Sequence, residues 1–348
     1  MRFGAVPENP IEWAIARLNV APRPILETQM AYTLARLIMV GAKVGVFEAL
    51  AGGPATPATV AERCGTNAVG TEKLLFALAG AGYVQAEDGG YGLTALSRKW
   101  LVPDSPHSVA DKLLLQFYEW EWVERAEDYV RSGNPIELHA TIDGDQWDLY
   151  QRGMRAMARA FAGEAVRRMP VPKGARRMLD IGGSHGYYSV ALCRRHDTLS
   201  AVILDLPQAV EHAAPLLAAE NMGDRVVHRP GDALTDELGT EEYDLVLIAQ
   251  LVHHFSEAQN RDLLARVARA LRPGGVCAVL EEFRPENPKE AGQIGALLEF
   301  YFALTSRSGT WAVEEIACWQ RDAGLVPRRP IRFRTTPGVG IQAAAKPG

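Results

Sequence analysis

Two histidines, His253 and His254, follow a short apolar run ending at Ala249, and two carboxylates, Glu281 and Glu282, close the next such run. An imidazole, with an ordinary pKa of about 6.5, can take the proton of a hydroxyl at neutral pH. If the two runs are neighbouring strands, their ends bring His253 and Glu281 within hydrogen-bond reach although 28 residues separate them in sequence. Side chains alternate along a strand, so only one of Glu281 and Glu282 should face such a cleft, and the other is expected in solvent. Paired histidines after a strand also serve as core residues, and His254 reads as structural.

A second set of polar groups lies upstream. The run Met178-Leu179-Asp180 enters Ile181-Gly182-Gly183-Ser184-His185-Gly186, whose small residues let the backbone approach a ligand or simply permit tight packing. Asp205, 25 residues after Asp180, ends the next run, where a carboxylate can bind both hydroxyls of a ribose. Asp232, in Gly231-Asp232-Ala233, follows the third run and suits an adenine amino group. Two common cradles are excluded: Ser184 and Tyr187 replace the later glycines of Gly-x-Gly-x-x-Gly, and no Gly-Lys-Ser/Thr follows. A ligand without phosphates needs no anion cradle, and Asp180 is then compatible with an amino-acid ammonium.

These groups need strands whose ends share one edge. Residues 177–180, 201–205, 225–229, 245–249 and 276–281 read as strands alternating with helices, which predicts a parallel sheet covered on both faces. Ligands bind such sheets at the carboxyl ends of the strands. Residues 330–334 and 340–345 flank Pro337-Gly338 as a closing hairpin.

Near the start, Leu34, Leu37, Ile38, Val44, Phe47 and Leu50 recur at helical steps and predict one amphipathic helix, stopped at Ala51-Gly52-Gly53-Pro54. Helices over 56–63 and 69–79, a Gly89-Gly90 turn and a strand over 91–94 complete a winged helix. A helical connector over 101–135 carries Phe117, Tyr118, Trp120 and Trp122. Another helix, 147–166, places Tyr150, Met154, Met157 and Phe161 at helical spacing before the break at Pro170 to Gly174. The expected division is 1–100, 101–170 and 171–348. Met154, Met157, Phe161, Tyr301 and Thr305 are candidates to line a substrate pocket, although an apolar core has the same composition.

Composition narrows the partners. The 348 residues are 47% hydrophobic and 23% charged with net charge -5, which gives no electrostatic footprint for nucleic acid or an anionic membrane. Within 31–100 the basic residues Arg36, Lys43, Arg63, Lys73, Arg98 and Lys99 face five acidic ones, which argues against a DNA-binding winged helix. Cys64, Cys193, Cys277 and Cys318 lie far apart, so neither a disulfide framework nor a metal site is expected. No apolar run reaches the roughly 18 residues of a membrane span, and residues 1–10 lack a signal pattern, so a cytoplasmic location is expected.

The second half resembles class I S-adenosylmethionine-dependent methyltransferases. The glycine-rich turn, Asp205 and Asp232 carry the likeness, and so does Ala270-Leu271-Arg272-Pro273-Gly274-Gly275 before 276–281, which looks like their helix, turn and fifth strand. With the winged helix included, nearly the whole chain is similar to the caffeic acid and hydroxyindole O-methyltransferase family. The resemblance implies an α/β fold: a Rossmann-like, mostly parallel sheet with its last strand antiparallel, behind an N-terminal, mainly α dimerisation domain. It further implies a homodimer in which the first helices contribute to the partner's active site.

S-adenosylmethionine would be the cofactor and S-adenosylhomocysteine the product, with no metal. The implied cofactor residues are Asp180, Gly182, Gly183, Ser184, Gly186, Asp205, Leu206, Gly231, Asp232, Ala233 and Gln250. Gln250-Leu251-Val252-His253-His254-Phe255 resembles the family's His-Asp-Trp segment, which makes His253 the implied general base and Glu281 the carboxylate that orients it. The acceptor would be a phenolic or enolic hydroxyl of a small, largely apolar molecule of secondary metabolism.

The sequence departs from the family at Thr310, where a second catalytic carboxylate stands, at Ala249 for a lysine, at Phe255 for the tryptophan and at Ser184 for the middle glycine. These changes put the base assignment in question more than methyl transfer, because proximity supplies much of the rate when the donor is already activated. Two other readings stay open: relatives of this architecture that run pericyclic, decarboxylation or hydroxylation chemistry, and a nitrogen or carbon acceptor.

Overall fold

The structure, a computed structural model, describes residues 4–336 and 338–348. Pro337, placed by the sequence in the closing hairpin's turn, and Met1 to Phe3 of the stretch read for a signal pattern lie outside the described residues. The chain forms two compact units that divide between Phe117 and Tyr118, inside the helix Ala110–Glu124. The stretch 101–170 is therefore shared between them.

In the first unit, capping residues and glycines set the helix boundaries. The run expected as one helix is two, Ala31–Lys43 and Val46–Ala49, because Gly45 takes φ 83°, a left-handed conformation open to glycine. Pro57–Cys64 starts on Thr56, whose hydroxyl accepts the Thr59 amide at 3.2 Å, and stops at Gly65 with φ 63°. Ala68–Gly80 starts on Asn67, which accepts the amides of Val69 and Gly70. The antiparallel strands β1 (Val84–Glu87) and β2 (Gly90–Leu93) follow. Phe47, Leu50, Val60, Leu75 and Leu78 pack with Val84 and Leu93 into one core, the expected helices with a hairpin.

Among the described residues, the second unit is built on an eight-stranded sheet. Its strands are β3 (Arg177–Ile181), β4 (Ser200–Asp205), β5 (Val226–Pro230), β6 (Tyr243–Ala249), β7 (Leu271–Glu282), β8 (Val326–Pro327), β9 (Ile331–Arg332) and β10 (Val339–Ala345). The order is β5-β4-β3-β6-β7-β10-β8, with β9 paired to β10. The first five are parallel, and β10 runs antiparallel beside β7. Two apolar cores, one around Leu179, Val246 and Val279 and one around Met178, Leu245 and Leu280, take alternate residues of the same strands, as a sheet covered on both faces requires.

The expected turn at Arg272 to Gly275 is built into β7 instead. Leu271 lies opposite Tyr243 and Val276 opposite Leu245, so the four residues between form a bulge, and Gly274 accommodates it at φ 77°. Among the described residues no helix is long and apolar enough to cross a membrane.

Candidate active site

β6 and β7 are parallel neighbours with Ala249 opposite Leu280, so the residues after Ala249 meet the end of β7. The chain turns there through Gln250, at φ 54°, into the 3-10 turn Val252–His254. That turn is pinned. The Val252 carbonyl accepts the Asn260 side-chain amide at 2.9 Å and the Trp311 indole N–H at 3.0 Å, and the Phe255 carbonyl accepts Asn260 at 3.1 Å.

His253 Nδ1 donates to Glu281 Oε1 at 3.0 Å, with both side chains buried. The same Oε1 accepts the Glu282 amide at 3.1 Å. A carboxylate on Nδ1 holds the proton there and leaves the Nε2 lone pair able to accept another. His254 and Phe302 pack on the imidazole with ring centroids 4.2 Å and 4.5 Å away. His254 meets His139 edge-on at 4.6 Å, and His139 is 3.2 Å from the Tyr150 hydroxyl. Burial, then the charge of neighbouring His253, pushes His139 down to about 4 and His254 well below its ordinary range. Both are neutral rings.

The expectation of a solvated Glu282 is overturned, because the side chain is only 6% exposed. β7 lies between β6 and β10 with both faces covered, so alternation moves a side chain from one buried face to another. Burial first, then the charges of Glu281 and Glu299, push the Glu282 carboxyl up to about 7.

The other strand ends carry carboxylates. Asp180, Asp205 and the turn at Asp232 end the adjacent strands β3, β4 and β5. Asp180 Oδ2 accepts the Ser189 hydroxyl at 2.6 Å, while its buried Oδ1 has no partner among the described residues. Asp205 accepts the Ser184 amide at 2.7 Å and the Leu206 amide at 2.8 Å. Burial raises Asp180 to about 7 and, against those two amides, Asp205 to about 6. A ligand bringing a cation to Asp180 and hydroxyl donors to Asp205 fits both.

Asp232 accepts the Leu234 amide at 2.8 Å and shapes its own turn. Ala233 packs on the core, Leu206 begins the helix Pro207–Ala218, and the Gln250 amide donates to Leu280 at 2.9 Å. The glycines answer to packing as well as access: a Cβ would lie 2.8 Å from Leu251 at Gly182, 2.6 Å from Asp180 at Gly183, 2.5 Å from Ile203 at Gly186 and 2.2 Å from Asp236 at Gly231.

The candidate pocket residues separate. Tyr301 donates to Glu119 at 3.1 Å and adjoins Phe302, which touches His253. Thr305 is buried but spends its hydroxyl on the Tyr301 carbonyl one turn back, at 2.8 Å. Met154 and Met157 are half-buried on the helix Gly144–Arg168, whereas Phe161 is 42% exposed and is not enclosed.

Comparisons with known proteins place the chain in a family. An O-methyltransferase domain matches residues 129–317, and an O-methyltransferase dimerisation domain matches residues 26–103. The chain belongs to the S-adenosylmethionine-dependent O-methyltransferase family.

The chain is similar to a 3-hydroxy-5-methyl-1-naphthoate 3-O-methyltransferase of Streptomyces sahachiroi, 28% identical and covering 93% of this chain and 95% of the relative. It is also similar to the N,N-dimethyltransferase OxyT of Streptomyces rimosus, 24% identical over 93% and 96% of the two chains. In fold it is similar to human N-acetylserotonin methyltransferase solved with S-adenosylmethionine, with TM-score 0.83, 19% identity and coverage of 99% and 100%.

In this O-methyltransferase, the departures from the family pattern have structural neighbours. Thr310, in place of a carboxylate, is buried and gives its hydroxyl to Glu299, so a carboxylate still reaches that position from the helix Pro288–Thr305. Ser184 takes φ 51° without being glycine, because all three of its polar groups are engaged: the amide by Asp205, the carbonyl by His228 at 2.9 Å and the hydroxyl by Gln151. Sequence reasoning missed Gln151, His139, Glu119 and Glu299. Helical spacing, four residues after Trp147 and three before Met154, was the one signal that could have raised Gln151.

Proposed function

We propose that this enzyme methylates a phenolic or enolic hydroxyl of a small, largely apolar molecule, with His253 as general base. The observation that carries the reading is the buried His253 to Glu281 hydrogen bond at 3.0 Å, which leaves Nε2 as the proton-accepting nitrogen. S-adenosylmethionine, when bound, supplies a methyl group already activated by a positively charged sulfur. Asp180 holds its ammonium, Asp205 its ribose hydroxyls, and Gly182, Gly183, Ser184 and Gly186 the backbone that faces it. His253 takes the acceptor's hydroxyl proton onto Nε2, and Glu281 steadies the imidazolium that results. Phe302, His254 and the half-buried Met154 and Met157 give the acceptor an apolar surround that excludes water.

His253→Ala should lower turnover by roughly two to four orders of magnitude, with S-adenosylhomocysteine affinity by calorimetry nearly unchanged. Unaltered turnover would reject the base role. A nitrogen acceptor is a second reading, supported by the similarity to OxyT. Mass spectrometry of the methylated product separates the two.

The working form we propose is a homodimer through the N-terminal unit. The dimerisation-domain match and a row of exposed apolar side chains there, Ile11, Trp13, Leu18 and Ile25 among them, support it. Four free cysteines fit a reducing, cytoplasmic compartment.

A further inference from the structure

Gln151 lies on the helix Gly144–Arg168 and is fully buried. Its Oε1 accepts the hydroxyl of Ser184, in the turn between β3 and the helix Tyr187–Arg195, while its Nε2 is buried with no partner among the described residues. A buried N–H left unpaired forfeits its hydration without return, so such a donor gains from any acceptor that reaches it.

The strand leading into that turn, β3, carries a second orphan of opposite sense. Asp180 Oδ1 is an acceptor, buried and unpartnered, and Asp180 packs so closely beneath Gly183 that a Cβ there would lie 2.6 Å from its carboxyl carbon. A donor and an anionic acceptor bordering residues 183 and 184 match the two charges of an α-amino acid, the carboxylate toward the donor and the ammonium toward the acceptor.

We propose that Gln151 holds the carboxylate of the cofactor's methionine portion through Nε2–H, with the Ser184 hydroxyl fixing the amide so that this N–H faces the ligand. The inference rests on S-adenosylmethionine being the cofactor and names the group that receives its amino-acid end. It also explains why a serine stands in this glycine-rich turn: its hydroxyl orients the donor, and its left-handed backbone is held by Asp205 and His228.

The test compares two ligands by calorimetry: S-adenosylhomocysteine, which has the amino-acid end, and 5′-methylthioadenosine, which lacks it. Gln151→Leu should weaken S-adenosylhomocysteine by about tenfold to a hundredfold and leave 5′-methylthioadenosine within about twofold. Gln151→Glu should weaken the first ligand further, because two carboxylates then face each other. Equal loss of both ligands, or unchanged S-adenosylhomocysteine binding, overturns the proposal. Wild-type protein that ignores both ligands overturns the cofactor assignment beneath it and the proposal together.

Discussion

The two halves of one sheet edge are prepared differently. At the ends of β6 and β7, His253 and Glu281 Oε1 are already hydrogen-bonded, Glu281 Oε2 is buried with no partner among the described residues, and the turn that carries the histidine is tied down by Asn260 and Trp311. At the ends of β3 and β4, the buried Asp180 and the half-buried Asp205 have carboxyls held well above their usual range, and one oxygen of Asp180 has no partner among the described residues. The first half already holds its base and the base's partner in place, whereas the second suits a ligand that brings positive charge and donors. A base must hold its geometry before the acceptor arrives, but a cofactor site can draw affinity from groups that are costly until paired.

That contrast can be broken most severely at Glu281. Glu281→Gln should reduce turnover by roughly two to four orders of magnitude, since an amide can neither fix the tautomer nor steady the imidazolium, with cofactor affinity little changed. Steady-state rates beside calorimetry check it. Asp205→Asn should do the converse, weakening S-adenosylhomocysteine by about tenfold to a hundredfold while turnover at saturating cofactor changes only a few-fold.

The pH dependence sharpens the same comparison. Asp180 in the ligand-free protein keeps its proton up to about pH 7, and the ammonium needs the ionised form, so affinity rises as pH climbs through that value. Calorimetry should show S-adenosylhomocysteine binding weaken about tenfold from about pH 8 to about pH 6. The smallest expected effect is at Phe161, which is 42% exposed. Phe161→Ala should leave the acceptor's KM within about twofold.

The sheet was legible because apolar runs, turn glycines and strand-end carboxylates are local signals, and β3 to β7 lie where those runs predicted them. Other features depend on neighbours that spacing does not reveal. Glu282 is buried because both faces of β7 are covered, by layers that the strand's own sequence does not announce. Gly45 splits a periodic helix by a backbone choice that hydrophobic periodicity does not register. The edge-on contact of the His139 and His254 rings and the bond from Ser184 to Gln151 join the helical region before β3 to the sheet edge, and nothing in either segment alone announces its partner. Thr310 looked like a lost carboxylate, yet Glu299 is carried to it by another helix.

The central claim is that the histidine after β6 removes a proton and does not merely fill space. Single-turnover methyl transfer by His253→Ala protein, followed from about pH 7 to about pH 10 with a phenolic acceptor, tests it most directly. The account predicts a large deficit near neutrality that closes as the acceptor ionises unaided. A deficit constant across the range, or no deficit at all, would contradict it.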